Sequence, residues 1–192
     1  MDEKEGLPVV SFSSAAEWDA WLTEGGPAAG VWMRIAKKAA GVASVSYAEA
    51  VETAIRHGWI DGRKAPLDDR FWLQKFTPRR ARSRWSERNR DIAVRLIEEG
   101  RMAPGGLAEV EAARADGRWE RAYPPASTAT VPDDLRAALD AAPTAAEAFA
   151  GLDAANRYAI LYRVQDAKRP ATRARRIATF VAMLARGERL HP

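Results

Sequence analysis

Apolar and polar positions follow two periods along this chain, and the changes of period mark its elements. Residues 1–10 read as a short tail entering a strand at Val9 and Val10. Helical spacing follows, with Trp18, Trp21 and Leu22 at i, i+3 and i+4 behind Ser14-Ala15-Ala16-Glu17. That quartet has the form of a capping box, in which a hydroxyl and a carboxylate satisfy the orphan N–H groups of a helix start. Gly25-Gly26 ends the helix, and Gly30 opens Val31–Lys37, where alternation puts Val31, Met33 and Ile35 on one strand face. A second capping box, Ser46 to Glu49, starts a helix with Ala50, Val51, Ala54 and Ile55 inward; His57 lies in its last turn and Gly58 supplies the left-handed stop. Trp59–Asp61 is predicted short and extended. After a polar loop containing Pro66, Asp68 and Asp69, Arg70–Phe76 is the clearest second strand, and Pro78 stops it.

From Ser86 the period returns to 3.6. Ile92, Leu96 and Ile97 make one stripe, closed by Gly100, and Pro104 opens a helix with Leu107, Val110 and Ala113 that ends near Gly117. Beyond the Pro- and Ser/Thr-containing stretch before Val131, strand signals vanish and alanine rises. Helices are expected near 133–141, 145–150, 154–168 and 171–186, with a third capping box at Thr144 to Glu147 and Asp153 as an N-cap. The pattern predicts an α+β fold: a small, mainly antiparallel sheet with flanking helices over 1–120, a linker at 121–131, and an all-helical unit at 132–192.

Composition narrows the chemistry. The chain has 192 residues, no Cys and two His, His57 and His191, which removes thiolate nucleophiles and cysteine-based metal sites and leaves no multi-His centre. No metal site and no cofactor is expected. The start MDEKEGLP is acidic and polar rather than a secretory leader, and no apolar run approaches the ~18 residues of a membrane span. A cytoplasmic location without membrane insertion is the expectation. Lys plus Arg total 30 against 26 acids, so the placement of the charges matters more than their sum.

The densest placement is Thr77–Arg90, with six arginines against the single acid Glu87. Guanidinium forks pair bidentately with phosphate or carboxylate, and the N–H groups of a helix starting at Ser86 would add to an anion site. The candidate anion-binding residues are Arg79, Arg80, Arg82, Arg84, Trp85, Ser86 and Asn89, with Trp85 available for stacking if exposed. The alternative is a solvated loop whose tryptophan packs inward. Lys37-Lys38 could join this surface, and Lys168, Arg169, Arg173, Arg175 and Arg176 form a second basic cluster. His57 beside Asp61 suggests an acid–base pair near Trp59, weighed against a plain helix C-cap for the histidine. Asp68-Asp69 lacks the further ligands a cation would need. All seven tryptophans lie within residues 18–119, as core or as pocket lining. There is no P-loop, GxGxxG, GxSxG or HExxH pattern.

Thr77–Asn89, Arg95–Leu107 and Asp116–Trp119, with Ser46–Val51 and His57–Gly62 upstream and Asn156–Tyr158 and Ala167–Ile177 downstream, resemble the YdeI/OmpD-associated family, also labelled bacteriocin-protection proteins. Arg56 and His57 stand where that family often has Cys and Phe. The resemblance implies a link to protection against bacteriocins or antimicrobial peptides and, in some members, to an outer-membrane porin. Three readings follow. The first is a non-enzymatic protection or stress protein that binds an anionic small molecule or protein partner through the Arg/Trp site. The second is a nucleic-acid-binding protein, and the third an enzyme of unrecognised class using His57 and Asp61.

Overall fold

In the computed structural model, which describes residues 2–191, the residues expected as a tail form a hairpin. β1 (Glu3–Lys4) pairs antiparallel with β2 (Leu7–Ser11). The chain turns at Glu5 and Gly6, both at positive φ (55° and 70°), the sense that matches the twist of the paired strands. α1 (Ala15–Thr23) then carries the chain across to β3 (Val31–Ala36), which lies parallel to β2. Ser14 Oγ accepts from Glu17 N–H, but the Glu17 carboxylate is held by Ser13, from its N–H at 2.8 Å and its hydroxyl at 2.6 Å, so the expected reciprocal box is offset by one residue.

A 3-10 turn at Lys38–Ala40 precedes α2 (Tyr47–Arg56), where the Ser46–Glu49 capping box is complete. His57 is the C-cap, and Gly58 sits at φ 78° with the Gly105 carbonyl 2.7 Å from where a Cβ would stand. β4 (Trp59–Pro66) runs five residues beyond the expected Asp61, because a bulge between Asp61 and Lys64 lets it continue beside β5 (Phe71–Pro78). Gln74, itself buried, steadies that bulge by donating to the Gly62 carbonyl at 2.7 Å. The sheet order is β1-β2-β3-β5-β4, antiparallel except for β2 and β3. α3 (Glu87–Glu98) and α4 (Pro104–Ala115) complete this part.

Val31, Met33 and Ile35 face one core together, as their alternation predicts, with Phe76 beside them and residues of all four helices against them. Trp18 is fully enclosed there and donates its indole N–H to the Ala50 carbonyl at 3.2 Å. Trp59 packs edge-on against Trp18 and Trp21.

The chain divides into two units between Ala122 and Tyr123. The second holds α5 (Asp133–Asp140), α6 (Pro143–Ala150), α7 (Ala154–Gln165) and α8 (Pro170–Ala185), with no strand among the described residues of 133–187. Within the stretch read as a linker, Tyr123 packs on Tyr162, and the Pro124 carbonyl accepts from the Tyr158 hydroxyl at 2.9 Å. Leu135, Leu139, Phe149, Ile160, Val164, Phe180 and Leu184 make the core of this unit. Asp153 caps α7 as expected. Thr144 does not cap α6: Pro143 already occupies the first helical position, and Ala142 is an N-cap with no side-chain bond. No helix among the described residues is long and apolar enough to cross a membrane.

Candidate functional site

The arginine-rich loop after β5 is shaped from within. Arg79 donates its backbone N–H to the Gly58 carbonyl at 2.9 Å, which fixes where the loop leaves the sheet. Arg80 to Ser83 form a tight turn, closed by Ser83 N–H to the Arg80 carbonyl at 2.8 Å and by Arg80 N–H to Ser83 Oγ at 2.9 Å. Two buried guanidinium groups then hold the backbone of this turn. Arg79 stacks 3.5 Å from the centre of the Trp85 ring and donates to the Arg84 carbonyl at 3.1 Å. Arg118 donates to the Ser83 carbonyl at 2.9 Å while its Nε faces both oxygens of Asp116, at 2.9 and 2.6 Å. The Arg118 guanidinium holds the Asp116 carboxyl below its ordinary value.

The seven candidate anion residues therefore separate. Arg79, Trp85 and Asn89 are inside, at 5%, 1% and 8% exposure. Trp85 packs edge-on against Trp119 at 5.0 Å, so its ring is core, and the stacking role that an exposed indole would have had is corrected. Ser86 Oγ is committed to capping α3 through Asn89 N–H at 3.1 Å. Arg84 is half-buried, and Arg80 and Arg82 point outward with no ion-pair or hydrogen-bond partner for either side chain among the described residues. Arg88, also exposed, lies 5.8 Å from the Tyr47 ring.

His57 and Asp61, read together as an acid–base pair near Trp59, bond different partners. His57 Nε2 is 2.8 Å from Asp19 Oδ1, an oxygen that also accepts from Arg56 at 2.6 Å. Asp61 instead accepts from the Tyr47 hydroxyl at 2.6 Å and faces Asn89 Nδ2 at 3.5 Å. The reason is topological. His57 closes α2 against α1, while Asp61, in β4, meets the first turns of α2 and α3. Among the described residues no three His, Asp or Glu side chains gather as a metal site requires.

Sequence reasoning missed Asp19, Tyr47, Asp116 and Arg118. Nothing local marks Arg118 as the partner of a carbonyl 35 positions away, and only the buried destination of Trp119 would have hinted at it. In the second basic cluster, Arg173 grips Asp134 with both arms of its fork, and Arg176 bonds Arg163 O and Asp166. Lys168, Arg169 and Arg175 are exposed.

Residues 10–109 match the model of a family described as a domain of unknown function, DUF8412. Residues 128–187 match the model described as Bacteriocin-protection, YdeI or OmpD-Associated. The loop at 79–85 thus falls in the first match and the α5–α8 unit in the second. Neither a curated protein nor a solved structure matches the chain.

Proposed function

Because the chain belongs to the DUF8412 family and its C-terminal residues match the bacteriocin-protection, YdeI or OmpD-associated model, we propose that it is a protection-type protein acting by binding rather than catalysis. Its partner is anionic and is taken by Arg80 and Arg82, with Arg84 and Arg88 beside them. One observation carries this reading: two exposed guanidinium groups without partners among the described residues stand on a turn that two buried arginines hold in shape. A solvated loop needs no such scaffold. Preorganised donors lower the ordering cost of binding, and planar forks suit carboxylate or phosphate. The separate engagements of His57 and Asp61 favour binding over acid–base chemistry.

The test is a double Arg80→Lys, Arg82→Lys variant, which keeps the net charge. Calorimetric titration at low salt with pyrophosphate, a glutamate-rich peptide and a single-stranded oligonucleotide should show saturable binding by the wild type to at least one, and loss of most of that affinity in the variant. For the oligonucleotide, a log–log salt slope of about −0.7 per neutralised phosphate, the value for a single strand, would assign the partner to nucleic acid. Absence of saturable binding to all three, or equal affinity in the Lys variant, refutes the proposal.

A further inference from the structure

The other face of the sheet carries chemistry that the helical side does not use. α1 to α4 all pack on the face of Val31, Met33, Ile35 and Phe76. The residues one step along each strand make a smaller cluster of Leu7, Trp32 and Leu73, with Val9 and Ala65 against it, and no helix contributes. Strand register assembles it: Trp32 stands opposite Val9 on β2 and Lys75 on β5, Leu73 opposite Ala65, and Leu7 opposite Lys4.

Trp32 is at 0% exposure on this helix-free face because long cationic side chains cover it. Lys4 Nζ lies 5.5 Å from its ring centre, Arg63 Cζ 5.6 Å and Lys75 Nζ 5.8 Å. Its indole N–H is buried and has no acceptor among the described residues. A buried donor left unmade is costly. The three cations over the same ring favour one kind of completing group, an oxyanion.

The charges on the face are unbalanced in the same direction. Arg34 pairs with Asp2 at 3.0 Å, and Arg63 pairs with Glu5. Lys4 and Lys75 have no carboxylate partner among the described residues, which leaves two positive charges over the ring that carries the unmade donor. We propose that this face is a binding site for a phosphate monoester, whose charge of about −1.5 to −2 at neutral pH matches that excess. One phosphate oxygen accepts from Trp32 Nε1–H, and the Lys4 and Lys75 ammonium groups swing from the ring onto the others. Base stacking is not the mode, since the ring is covered. The site uses none of the residues of the 79–85 loop and stands independently of the function proposed for it.

The experiment follows the indole N–H itself. In protein labelled with ¹⁵N-tryptophan, the Trp32 signal is the one that disappears in Trp32→Phe; should that variant fail to fold, through-space contacts to Leu7 and Leu73 identify it. Phosphoserine added at constant ionic strength should move this signal saturably, while chloride and acetate leave it in place. A Lys4→Gln, Lys75→Gln double variant should bind phosphoserine ~10-fold or more weakly, the loss expected for charge-assisted bonds. Arg80→Lys, Arg82→Lys should bind it as the wild type does, which separates this site from the loop. A signal that does not move, that follows chloride equally, or that responds unchanged in the Gln variant overturns the site. An equal response to acetate overturns its assignment to phosphate.

Discussion

Arg118→Met removes a guanidinium fork while keeping an apolar stem of similar length, so it isolates the part of Arg118 that shapes the 79–85 loop. The lost contact is the charged donor to the Ser83 carbonyl at 2.9 Å. Arg118 is only 8% exposed, so water does not readily replace that donor. A hydrogen bond from a charged group contributes about 1.5–3 kcal/mol under such conditions. The pair with Asp116 adds little to this figure, because that carboxylate is half open to solvent. All seven tryptophans lie before Tyr123, so urea unfolding read by indole fluorescence reports the N-terminal unit alone. With a slope of about 1–3 kcal/mol per M, the midpoint should fall by roughly 1 M. A pH signature accompanies it. Asp116 has a lowered pKa in the fold, first because Arg118 bonds it. A depressed carboxylate stabilises above its ordinary value, 3.8, and that contribution is lost as pH falls through the folded value. Wild-type stability should therefore drop on acidification below about pH 4, and the Met variant should drop less. An unchanged urea midpoint, with the same acid dependence as wild type, would show that Arg118 does not hold the loop.

Two further substitutions test the packing that carries the loop. Leu96→Ala deletes a fully enclosed side chain on α3 and should cost about 2–5 kcal/mol, read as a lower fluorescence midpoint; an unchanged midpoint would mean that α3 is not packed on the sheet. Gly58→Ala must place a Cβ 2.7 Å from the Gly105 carbonyl at φ 78°, and the Gly58 carbonyl is the acceptor that anchors Arg79. Soluble expression with wild-type stability would refute that close approach.

Elements with strong periodicity could be read from the chain because one physical requirement dominated each of them. Val31, Met33 and Ile35 alternate since only one face of β3 meets the helices. Ser46 and Glu49 were readable as a capping box because both partners lie within four residues. The misreadings share the opposite property. β4 continues past Asp61 only because Gln74, twelve positions away from Gly62, bonds the bulge. The hairpin at Glu3–Ser11 depends on pairing that a two-residue strand does not announce. Thr144 has the hydroxyl-to-carboxylate spacing of a cap, yet the helix starts at Pro143, two residues before the expected 145.

The candidate site shows the same division at the level of single arginines. Sequence marks the run from Arg79 to Arg90 as basic but does not say which guanidiniums are inside, since burial of an arginine depends on partners supplied from elsewhere. Arg79 goes in because Trp85 offers a ring face and Arg84 a carbonyl. Arg118 goes in because Asp116 neutralises it beside the Ser83 carbonyl. Removing a cation from water is expensive unless it is compensated, and lysine, with no planar fork, could neither lie flat on a ring while donating to a carbonyl, as Arg79 does, nor bridge a carboxylate and a carbonyl in one plane, as Arg118 does. The inner pair therefore requires arginine for reasons internal to the fold. Arg80 and Arg82 do not: among the described residues of the N-terminal unit nothing uses their forks, and lysine would keep them equally soluble. An Arg→Lys exchange there alters the planar fork while keeping the charge and the fold, which is why it tests binding rather than stability.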